Sequence, residues 1–181
     1  MKKSSPNEVY KELLKNDTQA LVVEHELNGV TPEMIDWWWD NMDNESYRLW
    51  HPEDHLALEW QIPPGNVGHA GAIHMACEKI SEVSTQILRI RWEEPESATI
   101  TTTYSHVNVG SPLGPGPDDI PMGCIVHEYE EASFGTKMRS TFTLPAFLPK
   151  EFINNLREHN IVEMGQFPKF LPKLYNERKT Q

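Results

Sequence analysis

Cysteine is scarce. Cys77 and Cys124 are the only two in 181 residues and form no C-x-x-C pair. A disulfide scaffold and a zinc finger are therefore excluded, and both thiols are expected to be reduced and buried. Positive charge is also short: 16 Lys and Arg stand against 27 Asp and Glu, a formal net charge of −11. Binders of nucleic acid or anionic membranes need the opposite balance, so neither is expected as a partner. Long apolar runs are missing too, since no stretch approaches the roughly 18 residues that cross a bilayer. Met1-Lys2-Lys3-Ser4-Ser5-Pro6 leads into a polar segment, not the apolar core of a signal peptide, so a cytoplasmic protein is expected. What remains, 38% hydrophobic residues over this length, suits one globular domain spanning residues 1–181.

Apolar positions at 9, 10, 13 and 14 predict a short amphipathic helix over residues 6–14. A strand is expected over 19–27, closed by the turn signal Asn28-Gly29. Thr31 as N-cap, Pro32 at the first helical position and Glu33 beside the dipole then predict a helix carrying Trp37-Trp38-Trp39. Three consecutive tryptophans cannot share one helix face, so at least one is expected to meet a pocket, a partner or solvent, and a homodimer contact would suit it. From Gly71 onward come β-rich segments at 72–80, 85–92, 98–109, 123–132 and 137–144, with a hairpin at Phe134-Gly135. No helix-length segment separates them, which favours an antiparallel meander. Residues 110–123, with four prolines and four glycines, read as a long loop, either a lid or an idle connection. The tail from Pro149 to about Glu163 reads as helical, with Pro168 and Pro172 breaking the segment beyond it.

Imidazoles and carboxylates gather in three places: His51-Pro52-Glu53-Asp54-His55, then His74 to Glu78, then His127-Glu128-Tyr129-Glu130-Glu131. Side chains alternate along a strand, so His74, Ala76, Glu78 and Ile80 share one face, and Ile125, His127, Tyr129 and Glu131 share another. If Ala76 and Ile80 point into a core, Glu78 does too, and a buried carboxylate must be paired, protonated or bound to a cation. Imidazole with carboxylate is the ligand mix of zinc and other borderline divalent metals. Four ligands from His55, Glu78, His127 and Glu131 would neutralise a dication. Residues four apart on a regular strand are about 13 Å apart at about 3.3 Å per residue, so His127 and Glu131 would need a bulge, a strand end or a helical turn to converge. Glu128 and Glu130 are the alternative ligands if the strand phase shifts. The bland readings are hydrogen-bonded histidines and a solvated acidic hairpin.

Taken in order, Glu33-Met34-Ile35-Asp36-Trp37-Trp38-Trp39, Tyr47 to His55, Gly71 to Ile80, and His127 to Glu131 running into Met138-Arg139-Ser140 resemble the 2,4-diacetylphloroglucinol hydrolase family, which includes phloretin hydrolase. The resemblance implies an α+β helix-grip, Bet v 1-like fold, in which a curved antiparallel sheet wraps a long helix around an internal cavity. It further implies a Zn2+ site of two histidines and two glutamates, acting on a small aromatic ketone by hydrolysing the carbon–carbon bond between an acyl group and a polyhydroxylated ring. Carried over by motif, the ligands fall on His55, eight positions after Tyr47, on Glu78, and on His127 with Glu131 as an H-x-x-x-E pair. Tyr47 matches a family tyrosine that contacts a ring hydroxyl, and His74 or His106 is the candidate proton shuttle. Two other readings compete: a non-catalytic binder of apolar aromatic ligands, and a metal hydrolase of another carbonyl substrate.

Overall fold

In the computed structural model the described residues are 6–81 and 84–179. The polar start at residues 1–5 lies outside them. Seven strands form one antiparallel sheet in the order β1-β7-β6-β5-β4-β3-β2: β1 Thr18–Asn28, β2 His55–Ile62, β3 Ile73–Ser81, β4 Ser84–Glu93, β5 His106–Pro112, β6 Cys124–Ala132 and β7 Gly135–Pro145. The helices are α1 Pro6–Val9, α2 Pro32–Asn41, α3 Asn44–Trp50, α4 Pro64–Val67 and α5 Lys150–Lys179. The sheet curves around α5, the helix-grip arrangement that the family resemblance implies.

Strand alternation delivers the core. Leu21, Val23 and Leu27 of β1, Met138 and Phe142 of β7, and Ala76 and Ile80 of β3 are buried facing the helices. From α5 they meet a stripe of Leu156, His159, Asn160, Glu163, Met164, Phe167 and Leu171, the i, i+3/i+4 spacing of a helix face. Trp38 and Trp39 close the core from α2. Trp37, half-buried, meets Tyr175 edge-on at 5.5 Å. Gly110 of β5 is dictated by this packing, since a Cβ there would come within 2.9 Å of the Trp92 ring.

Four expectations change. The helix over 6–14 is only α1 followed by a 3-10 turn at Leu13–Lys15. The strand expected over 98–109 begins at His106, because the Thr103 and Tyr104 amides donate to the buried Glu128 carboxylate at 2.6 and 3.0 Å in place of a strand ladder. The loop over 110–123 is shortened at one end by β5 and pinned by a bridge between Leu113 and Pro121. The break expected at Pro168 and Pro172 does not occur, and α5 runs through both. Each proline forfeits one helical N–H bond. Packing outweighs that loss: Phe167, fully buried, stacks on Trp50 at 5.4 Å, and Phe170 lies edge-on to Trp38 at 5.2 Å.

Candidate metal centre and cavity

β2 starts directly after α3, and its first residue is His55. The register pairs His55 with Glu78 and Ala57 with Cys77, so Leu56 is an extra residue that shifts the strand phase. This bulge lets His55 and Leu58, three positions apart, both face inward, where regular alternation would send one of them out. Glu78 follows from the alternation of β3 with Ala76 and Ile80. Opposite them α5 presents His159 and Glu163, one turn apart on its buried stripe.

His55 Nε2 lies 3.2 Å from His159 Nε2, 3.9 Å from Glu78 Oε1 and 3.6 Å from Glu163 Oε2. His159 Nε2 lies 3.7 Å from Glu78 Oε2 and 3.8 Å from Glu163 Oε2. His55, His159 and Glu163 each turn one donor atom into a single set within 4.8 Å of one another, and Glu78 flanks them, with Oε1 towards His55 and Oε2 towards His159. The tautomers point the same way. His55 Nδ1 donates to the Tyr47 carbonyl at 3.1 Å, and His159 Nδ1 donates to Asp54 Oδ2 at 3.3 Å. Each ring thus directs an Nε2 lone pair at the other. Burial keeps both rings neutral, lowering His55 to about 2, with His159 adding to the effect, and His159 to about 4. Two lone pairs cannot hydrogen-bond to one another, and a cation between them would relieve the arrangement. Burial also raises the carboxyls, Glu78 to about 7 and Glu163 well above its ordinary value, the latter assisted by Glu78. Both ionise readily only beside positive charge.

Around these four, Tyr47 stacks on His55 at 4.1 Å and donates its hydroxyl to Glu78 Oε1. Asp54 Oδ2 also lies 3.2 Å from His51 Nε2, the Asp54 amide donates to His51 Nδ1 at 3.2 Å, and the His51 ring stacks on His159 at 4.5 Å. Behind the four side chains lies an interior cavity of about 70 Å³ whose lining includes Trp39, Tyr47, His74, Glu78, Trp92 and His127. In front is an open cleft of about 540 Å³ with His51, Asp54 and Lys79. Ile80 and His159 stand in both linings.

The structure brings together His55, Glu78, Tyr47 and His74 of the residues singled out in the sequence. His127 lines the same cavity, but its Nδ1 is bonded to Ser140 Oγ at 2.8 Å. Glu131 is exposed near the end of β6, opposite Thr136. His106 sits apart, with its Nδ1 2.9 Å from Asp36. In the cluster itself the H-x-x-x-E pair is His159 and Glu163. Sequence reading passed over this second occurrence of the spacing, although it lies where a helix was expected and where four residues make one turn.

The fold defines the class: a helix-grip protein of Bet v 1-like architecture. Ara h 8.0201 matches with a TM-score of 0.62 at 13% identity, covering 87% of this chain and 99% of that one. The di-domain ARO/CYC BexL from the BE-7585A biosynthetic pathway gives 0.58 at 12%, covering 89% and 53%. Protein NE0264 from Nitrosomonas europaea gives 0.57 at 13%, covering 87% and 96%. No curated protein matches the sequence. Within that class the chain belongs to the DAPG hydrolase family, whose PhiG domain model matches residues 3–148. His159 and Glu163 lie beyond the matched range. Among the described residues no helix is long and apolar enough to cross a membrane.

Proposed function

We propose that the protein is a zinc-dependent hydrolase that cleaves the carbon–carbon bond between an acyl group and a polyhydroxylated aromatic ring, with His55, Glu78, His159 and Glu163 holding the metal. The observation that carries this reading is the pair of facing imidazole lone pairs, 3.2 Å apart and flanked by two buried carboxylates. Two neutral imidazoles and two carboxylates balance a dication, and a mixed set of nitrogen and oxygen donors suits zinc. When bound, the ion supplies Lewis acidity and a lowered pKa for water at neutral pH.

The chain's own residues supply the rest. An aryl ketone gives up its acyl group only if the ring departs as something more stable than an aryl carbanion. A polyhydroxylated ring can take a proton at the acyl-bearing carbon and become a ketone, after which the leaving group is an enolate. Water adds to the acyl carbon, the carbon–carbon bond breaks, and the products are a carboxylic acid and the deacylated phenol. Tyr47, held at Glu78 and facing the cavity, orients a ring hydroxyl. His74, fully buried with its pKa lowered to about 3 by desolvation, is a neutral ring positioned to pass the ring proton. His106, outside the cavity lining, is not assigned that role.

The carrier reading is less well supported. The polar end of the cavity is costly without an ion, which a mere holder of apolar ligands does not require, and at about 70 Å³ the cavity is smaller than an aromatic ligand of either kind. A substrate must displace wall side chains to enter, and Ile80, shared with the outer cleft, is the natural place. One preparation tests the proposal: bound zinc is measured in protein purified without added metal, and acid release from an acylphloroglucinol is followed. Stoichiometric zinc with acid release is expected. Zinc without cleavage of any aryl ketone removes the reaction, and absence of zinc binding removes the site.

A further inference from the structure

A second group of polar side chains, buried apart from the half-buried His25, runs behind the cavity and ends on the candidate metal centre. Asn160 Nδ2 donates to Glu163 Oε1 at 2.8 Å. Asn160 Oδ1 lies 3.0 Å from His25 Nε2, which lies 3.2 Å from Ser140 Oγ, which lies 2.8 Å from His127 Nδ1. The path crosses from α5 over β1 and β7 to β6. Asn160 and Ser140 are completely buried, and His127 is 5% exposed. A polar chain at such depth is costly unless every member is satisfied, and satisfaction fixes the direction of each bond.

The direction follows from Asn160, whose amide nitrogen faces Glu163 Oε1 and whose amide oxygen faces His25 Nε2. That oxygen only accepts, so His25 carries its proton on Nε2. The same N–H faces Ser140 Oγ, which leaves the serine hydroxyl to donate to His127 Nδ1. A neutral His127 then holds its proton on Nε2. Without the chain either tautomer would serve, and the other one would turn a lone pair to the cavity that could compete for the metal.

We propose that Asn160, His25 and Ser140 are positioning residues that lock His127 in the Nε2–H tautomer, so that it serves the cavity as a hydrogen-bond donor to a substrate oxygen and not as a metal ligand. The inference rests on the hydrolase reading above. The oxygen served is the ring oxygen that gains enolate character as the carbon–carbon bond breaks. His127 is stacked on Trp39 at 5.3 Å with ring planes 9° apart, which holds the donor in place.

Nitrogen-15 NMR of the histidine rings in zinc-loaded protein tests this directly. Wild type is expected to show His127 protonated at Nε2. Ser140→Ala and His25→Phe are expected to shift it towards a mixture and to lower kcat/KM about tenfold, one lost hydrogen bond, with zinc content unchanged. His25→Gln, whose amide can donate to the same two oxygens, is expected to restore both the tautomer and the rate, which a merely structural role for His25 would not require. A wild-type His127 protonated at Nδ1, or an unchanged tautomer in both disrupting variants, overturns the proposal. If the tautomer is as stated but no acylphloroglucinol is cleaved, the hydrolase reading fails and the donor role falls with it, while the proton assignment stands.

Discussion

His55 Nε2 and His159 Nε2 face each other at 3.2 Å, with the Nδ1 of each already committed, one to the Tyr47 carbonyl and the other to Asp54. Nothing in the apolar core requires two acceptors to confront one another. The contact makes sense as two corners of a coordination shell, and the first predictions rest on it.

Ligand identity separates the helical H-x-x-x-E pair from the strand pair. Glu163→Ala is expected to weaken zinc binding by more than about 100-fold, beyond the effect of outer-shell changes, whereas Glu131→Ala leaves it unchanged. Chelator competition and metal analysis of the purified variants measure both. Equal loss in the two variants would return the strand pair to consideration.

Asp54 fixes the tautomer of His159 from outside the cluster. Asp54→Asn keeps the shape but removes the charge that orients the ring, and zinc affinity should fall about 10- to 100-fold. Cobalt substitution gives a second readout, because a reoriented His159 changes the visible absorption of the bound ion.

Glu128 provides a pH-dependent contribution to stability. Burial pushes its carboxyl up, but the Thr103 and Tyr104 amides and the Arg139 guanidinium outweigh burial and hold it below its usual value. In the unfolded chain the group titrates near about 4.3. The stability it supplies is therefore fully present above that pH and is lost as the pH falls through the lower folded value. Glu128→Gln should cost about 2 kcal/mol at pH 7. The gap to wild type should close only as the pH falls below the depressed folded value, as read from urea unfolding at a series of acid pH values.

Gly110 leaves room for the Trp92 ring. A methyl group there would overlap it, so Gly110→Ala should destabilise the fold by about 1–3 kcal/mol in chemical denaturation. Trp92→Leu in the same background should recover part of that loss, because the clash and its relief lie at one contact.

Much of the fold was legible from local pattern. Asn28-Gly29 and Thr31-Pro32 marked the end of β1 and the start of α2 within a residue or so, because turn and cap chemistry is local. β2 was not seen, since its bulge at Leu56 breaks the alternation that identifies a strand. Pro168 and Pro172 misled for a different reason. Their local penalty is real, but Phe167 and Leu171, buried against the tryptophans, outweigh it, and that packing is invisible one residue at a time. In the site, His55 and Glu78 came from motif and strand phase. The second H-x-x-x-E was in plain view at residues 159–163. Choosing it over 127–131 required asking which segment makes four residues span one turn.

The proposed site also has an order of assembly. The sheet supplies His55 and Glu78, whereas α5 brings both His159 and Glu163. A sheet formed before α5 has seated would carry only half a coordination shell. Competence for metal capture would arrive with the docking of that helix, making occupancy a report on whether the grip has closed.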